Sequence, residues 1–419
     1  MKVIDGTIAS PLGFSADGLH AGFKKRKMDF GWIVSEKPAS VAGVYTTNKV
    51  IAAPLIVTKT SVKKAGKMKA IVVNSGVANS CTGTQGLEDA YTMQEWTAEK
   101  LGVEPDLIGV ASTGIIGELL PMDTLKNGLS KIVVNGNADD FAKAILTTDT
   151  ATKTIAVTET FGRDVVTMAG VAKGSGMIHP NMATMLGFVT CDANISSDTL
   201  QLALSQNVEK TFNQITVDGD TSTNDMVLVM SNGCTLNEEI LPGTPEFDKF
   251  SKMLNFVMQE LAKKIAKDGE GANKLIQVDV VNAPNALDAR MMAKSVVGSS
   301  LVKTAIFGED PNWGRILAAV GYAGVDVPVD NVDIMLGGLP VMLASSPVSF
   351  DDEEMKDIMH DDEVTITVDL HAGHEKGTAR GWCCSISRSS SSPPATGASR
   401  SARWFPVHPS PGHKPRRDD

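Results

Sequence analysis

The chain has 419 residues, a formal charge of −10 and 42% hydrophobic residues, the composition of an ordinary folded protein long enough to bury a large core. One core seldom grows past ~250–300 residues, so two domains are expected, and the acidic balance argues against nucleic acid as a partner. Residues 1–6 lack the apolar stretch of a secretory signal and no run approaches the ~20 apolar residues of a membrane helix, so the expectations are a cytoplasmic protein and no membrane association.

In chain order, short apolar runs predict strands at residues 43–46, 53–57, 69–74, 107–111 and 154–158. Helical spacing appears between them: Leu87, Ala90, Met93 and Trp96 share one face over residues 86–101, and residues 197–211 and 245–267 repeat the rhythm. The run 185–191 reads as a strand. Residues 282–286, Asn-Ala-Pro-Asn-Ala, form a plausible seam, followed by a helix at 286–297 and strands at 333–336 and 363–370. The pattern is an α/β (α+β) chain of mixed sheets with covering helices. It divides into a main domain at 1–282, a smaller C-terminal α/β domain at 283–382 and an atypical tail at 383–419. The tail is Ser/Pro-rich and punctuated by arginine, which predicts disorder because it cannot bury enough apolar surface to order itself.

Five cysteines, Cys81, Cys191, Cys234, Cys383 and Cys384, show no zinc-like spacing and read as free thiols. The glycine-rich segment from Lys173 through Gly174, Ser175 and Gly176 to Thr184 is more informative. Lys173 precedes the glycines and a strand follows, so this is not a phosphate-binding loop. A hydroxyl at a loop-to-strand junction can attack the preceding carbonyl, here that of Ala183. Hydrolysis of the resulting ester would cut the chain and leave Thr184 as an amino terminus. Its hydroxyl would then be a nucleophile beside its own base, an α-amine of pKa about 7.7–8.0.

The block from Lys173 to Asp192 resembles the self-cleaving segment of the ornithine acetyltransferase (ArgJ) family. So do Thr216 to Asp225, Asp268 to Ala272 and Gly308 to Ile316, in family order. The resemblance spans roughly residues 1–382. It implies a self-cleaving fold of sandwiched mixed β-sheets flanked by helices, an α chain of 1–183 and a β chain from 184, assembled as α2β2. It also implies ping-pong acyl transfer. Thr184 takes acetyl from N-acetylornithine, glutamate attacks the acetyl-threonine ester, and no metal or bound cofactor is required. An enzyme that also accepts acetyl-CoA would make N-acetylglutamate afresh; the residues do not separate the two forms.

Carried onto this sequence, the family pattern makes Thr113 and Gly114 the oxyanion hole. Thr147, Lys173, Thr184 and Glu270 become substrate-binding residues, with Thr148 an equal choice to Thr147 if the register slips by one. A lysine suits a carboxylate and Glu270 suits the side-chain amine of ornithine. Taken without the resemblance, Thr-Gly is a turn, the threonine cluster a helix cap and each charge a solvated surface group. The 216–225 block lacks the glutamate of a calcium loop and reads as turn and scaffold hydrogen bonding. Family members end in a tyrosine-containing strand and a short segment with an asparagine and a terminal Thr or Ser. This chain shows no counterpart, as a shifted reading frame near Trp382 would explain. Two rivals stand beside acetyl transfer: an amino-terminal-nucleophile amidase or aminopeptidase in which water discharges the intermediate, and an uncleaved protein that only binds.

Overall fold

Side chains alternate across a strand, so the partners of successive residues reveal the layers. The computed structural model describes residues 1–179, 185–326 and 330–383, which belong to one compact unit. The cleavage point expected at Ala183–Thr184, Cys384 and the rest of the tail lie outside the described residues.

Two sheets organise what is described. The first holds nine strands: β1 (Lys2–Ile4), β2 (Phe14–Leu19), β3 (Phe30–Tyr45), β4 (Lys67–Val77), β5 (Ile108–Ile115), β6 (Lys153–Phe161), β7 (Asp164–Lys173), β8 (Leu186–Cys191) and β10 (Met226–Ser231). Their spatial order is β1-β6-β7-β8-β10-β3-β4-β5, with β2 also on β3. The ladder is mixed: β8 and β10 run parallel, as do β4 and β5, while the remaining neighbours are antiparallel.

The long β3 pairs with β2 over its first part and with β10 over its second, and its register against β4 shifts between Val34 and Ala39, around Pro38. A proline cannot donate to a ladder, so the break falls where pairing is already irregular. The sheet folds over on itself there. Ile33, Ile71, Val73 and Ala111 of one half pack with Val171, Leu186, Phe188 and Leu228 of the other. Their alternates face outward. Val227 and Val229 lie under the helices Ser197–Val208 and Pro245–Lys267, and Ala70 and Val72 under Ala53–Ala65 and Gly83–Leu101. The result is a four-layer helix–sheet–sheet–helix arrangement of the α+β class.

Residues 53–57 correct the sequence reading, because they open a helix and not a strand. Pro54 sits in the first turn, where its missing N–H costs nothing, and the buried positions continue through Thr58 and Ser61 at helical spacing. A five-residue apolar run alone cannot distinguish the two periods.

The helix Pro245–Lys267 matters most for the site. Thr244 caps it by accepting from Phe247 N, and Phe250, Leu254, Val257, Leu261 and Ile265 are buried on one face. Each is worth about 1.5–3 kcal/mol on burial, and the helix thereby fixes where Asp268 and Glu270 emerge. The second sheet is seven-stranded. It adds β9 (Ile215–Thr216), β11 (Lys274–Ala283), β12 (Asp333–Leu336), β13 (Leu339–Leu343), β14 (Ser346–Pro347), β15 (Glu363–Asp369) and β16 (Glu375–Cys383), in the order β14-β13-β12-β15-β11-β16-β9. It therefore begins with β9 and β11, ahead of the 282–286 seam, and its core is aliphatic, with Ile276, Val278, Val296, Ile366 and Val368 fully buried.

Candidate active site

The end of β5 makes one wall of a cavity. Burial along the strand stops after Thr113, and Gly114 follows with φ +134°. Gly114 lies in register with Gly76 of β4, and a Cβ on Gly114 would come 2.3 Å from the carbonyl carbon of Gly76. Only glycine allows that approach. The end of β7 brings Lys173 to the same place, where its Nζ donates to Thr113 Oγ1 at 3.2 Å. A hydroxyl that accepts from an ammonium retains its own proton to give elsewhere.

A buried charge network holds this wall. Asp149 accepts from Gly174 N at 2.7 Å and from Thr147 N at 3.0 Å. Lys153, 1% exposed, bridges Asp149 Oδ1 at 2.7 Å and Asp268 Oδ2 at 2.5 Å. Asp268 in turn accepts from Thr150 N. Burial alone would raise the Asp149 carboxyl, but Lys173 and Lys153 outweigh it and hold it at about 2. One aspartate thus ties the Thr147–Thr148 loop to the start of the glycine segment.

In two other groups burial outweighs the neighbouring charges. Burial lowers the Lys173 ammonium, against the pull of Asp149 and Asp225. Burial raises Asp225 well above the usual carboxylate range, despite Lys173 and a hydrogen bond from Ser222. Asp225 is 2% exposed, and among the described residues its Oδ2 has no hydrogen-bond partner. Burial there disfavours the ionised form of the carboxyl. Its neighbour Asn224 spans to the other half of the sheet, donating to Ala78 O at 2.6 Å and Ser112 O at 2.9 Å. The 216–225 block also supports the glycine segment, because Asp218 accepts from Met177 N and from Ile178 N at 2.9 Å. Glu270 closes the arrangement. Its amide donates to Ser175 O at 3.0 Å, and its carboxylate lies so close over Gly176 that a Cβ there would meet Oε2 at 2.5 Å.

These elements enclose a cavity of about 710 Å³ lined by Thr113, Gly114, Thr147, Thr148, Lys173 and Glu270. The structure thus brings together the residues singled out from the sequence, apart from Ala183 and Thr184, which lie outside the described residues. Both Thr147 and Thr148 line it, so the geometry does not choose between them. Sequence reasoning passed over Phe23, Lys24, Ser222, Asn224 and Asp225 as lining residues. Lys24 opens the run Lys24-Lys25-Arg26-Lys27, which looks like a solvated charge patch, and Ser222 to Asp225 were absorbed into the scaffold reading. Among the described residues no group of three or more His, Cys, Asp or Glu is placed to hold a metal ion. A cavity lined by Lys24, Lys25 and Lys173, by the carboxyls of Asp225 and Glu270, and by a hydroxyl beside a glycine suits a small molecule carrying both a carboxylate and an amine.

The chain is 96% identical over 387 residues, covering 92% of its length and 97% of the relative's, to the arginine biosynthesis bifunctional protein ArgJ of Streptococcus thermophilus (strain CNRZ 1066). It is 81% identical, with the same coverage, to the protein of that name from Streptococcus mutans serotype c. Among solved structures, the ornithine acetyltransferase of Mycobacterium tuberculosis complexed with ornithine is 34% identical. That match has a TM-score of 0.40 and covers 43% of this chain and 99% of the other. The profile described as the ArgJ family matches residues 15–389, and the chain belongs to the ArgJ family.

Proposed function

We propose that this protein is a glutamate N-acetyltransferase of arginine biosynthesis, matured by cleavage at Ala183–Thr184. The observation that carries the reading is the convergence of Thr113-Gly114, Thr147, Lys173 and Glu270, from separate segments, on one cavity. The curated relatives are named for arginine biosynthesis, and their match extends across the whole site.

In this mechanism the Thr184 hydroxyl attacks the acetyl carbon of N2-acetylornithine while the Thr184 amine takes the hydroxyl proton. The C–N bond breaks, the proton passes to the departing nitrogen, and ornithine leaves an acetyl-threonine ester. The neutral α-amine of glutamate then attacks the ester, returning the proton to Thr184 and releasing N-acetylglutamate. Thr113 Oγ and the Gly114 amide stabilise the oxyanion in both halves, an effect of about 3 kcal/mol per donor. Lys173 binds a carboxylate and Glu270 the ornithine ammonium.

The relatives' name includes the word bifunctional, and the second activity we assign is use of acetyl-CoA as donor with no other cofactor. The enzyme acts in the cytoplasm as α2β2. The test begins with intact mass under denaturing conditions beside Thr184→Ala, followed by product analysis. Two fragments meeting at Ala183–Thr184, absent from the variant, and N-acetylglutamate from N-acetylornithine plus glutamate are expected. A single uncut chain, or acetate as the only acyl product, would overturn the reading.

A further inference from the structure

The proposed reaction sets the cavity an electrostatic problem. N-acetylornithine and glutamate share an α-carboxylate but end in opposite charges, an ammonium and a second carboxylate. Glu270 matches the first and repels the second. One buried lysine, Lys173, can satisfy the shared carboxylate but not a further one. An acceptor with two carboxylates therefore needs another cation in the wall.

Lys24 supplies it. It lies half-buried in the loop between β2 and β3 and lines the same cavity. Its loop is built around the fully buried Asp29, whose carboxylate accepts from Ala21 N at 2.6 Å and from Lys24 N at 2.8 Å. The Lys24 ammonium is anchored on Leu146 O at 2.7 Å, immediately before Thr147 of the cavity wall. An ammonium has three donors, so this anchor leaves two to meet a ligand. Its neighbour Lys25 also lines the cavity but is exposed, with its charge spent largely in water. Burial lowers the Lys24 ammonium to about 8, with Asp29 and Asp149 pulling the other way.

We propose that Lys24 determines acceptor specificity by receiving the second carboxylate of glutamate in the deacylation half-reaction. This rests on the acetyl-transfer reading above, and the two can be tested apart. Mature enzyme is mixed with N-acetylornithine and the ornithine burst is measured. The acetyl-enzyme is then discharged with graded glutamate or glutamine. Wild-type enzyme without a burst would remove the acetyl-transfer reading and this inference with it. With a burst present, Lys24→Met should keep its size within about twofold. The glutamate concentration for half-maximal discharge should rise about tenfold or more, and the preference for glutamate over glutamine should fall by a similar factor, the scale of losing a charge-assisted hydrogen bond. Lys24→Arg, which keeps the charge, should recover part of both and supplies the readout if Lys24→Met does not fold. An unchanged glutamate dependence and preference, or equal losses in the two half-reactions, would overturn the assignment.

Discussion

The two sheets solve the same packing problem with different interiors. From β11 onward, Ser299 is the one polar side chain buried among the described residues, and the core is Ile, Val, Leu, Met and Ala. The polar pairs of the second sheet, such as Thr378 on Asp279, Arg380 on Gln277 and His371 on Asp333, are part-buried or exposed. The folded-over first sheet instead buries Asp149, Lys153, Lys173 and Asp225 at one place. Burying charge costs free energy that an aliphatic core does not demand. Its concentration where β5, β7 and β10 present their cavity ends therefore identifies the part of the fold shaped by chemistry, and the second sheet identifies the part shaped by packing.

The sharpest break of this comparison is Lys153→Met. It leaves Asp149 and Asp268 without their shared cation, and uncompensated buried charge typically costs about 3–5 kcal/mol. Denaturant unfolding should show that loss, and the Thr147 loop and Gly174 should lose their common anchor. A change under about 1 kcal/mol would mean that the network is hydrated and that its burial does not distinguish the regions.

Next in size is Thr113→Val, which keeps shape and removes the hydroxyl. The main loss should be in rate, about 10²–10³-fold as for an oxyanion-hole donor, beside about 1 kcal/mol of stability lost with the bond from Lys173. Ile366→Val in β15 should do the reverse. It should cost about 0.5–1.5 kcal/mol of stability and leave turnover intact. A kinetic defect from Ile366→Val would show that the second sheet is coupled to the cavity.

How much of this was readable from sequence follows the same division. Long periodic elements such as the helix Pro245–Lys267 were legible because ten buried positions repeat one spacing. The run at residues 53–57 was not, because five apolar residues fit either period and Pro54 was not taken as a helix start. Site residues were legible only through resemblance, since Thr113, Lys173 and Glu270 meet through pairings that join distant strands, such as Ser75 with Thr113 and Lys173 with Leu186. Lys24 and Asp225 escaped for a physical reason. Nothing in a run of four cations says which one turns inward, and nothing in a row of Asp, Thr and Asn says which carboxyl is shut away from water.

Two histidines offer the smallest and most selective test, because they carry opposite pH signs in the two regions. His179, in the loop after β7, bonds Thr216 Oγ1 at 2.8 Å and is held down to about 4, by burial first and then by Lys294 and Lys303. The unfolded chain takes up that proton near 6.5 and the folded chain only near 4. Stability therefore declines as pH falls between those values, by about 1 kcal/mol once partial exposure is allowed for. His371, beside the second sheet, is raised by its hydrogen bond to Asp333 and then by Asp369. Its contribution is fully present below about 6.5 and disappears as pH rises through the higher folded value. His179→Gln should flatten the acid side of the stability profile above pH 4, and His371→Gln the near-neutral side. Asp149, at about 2, titrates below both windows, and Asp225, raised by burial, is common to wild type and both variants, so the difference between wild-type and variant unfolding midpoints from pH 4 to 8 isolates each histidine. If His179→Gln left the decline between pH 6.5 and 4 unchanged, the loop after β7 would be open to water and would belong with the exposed pairs of the second sheet.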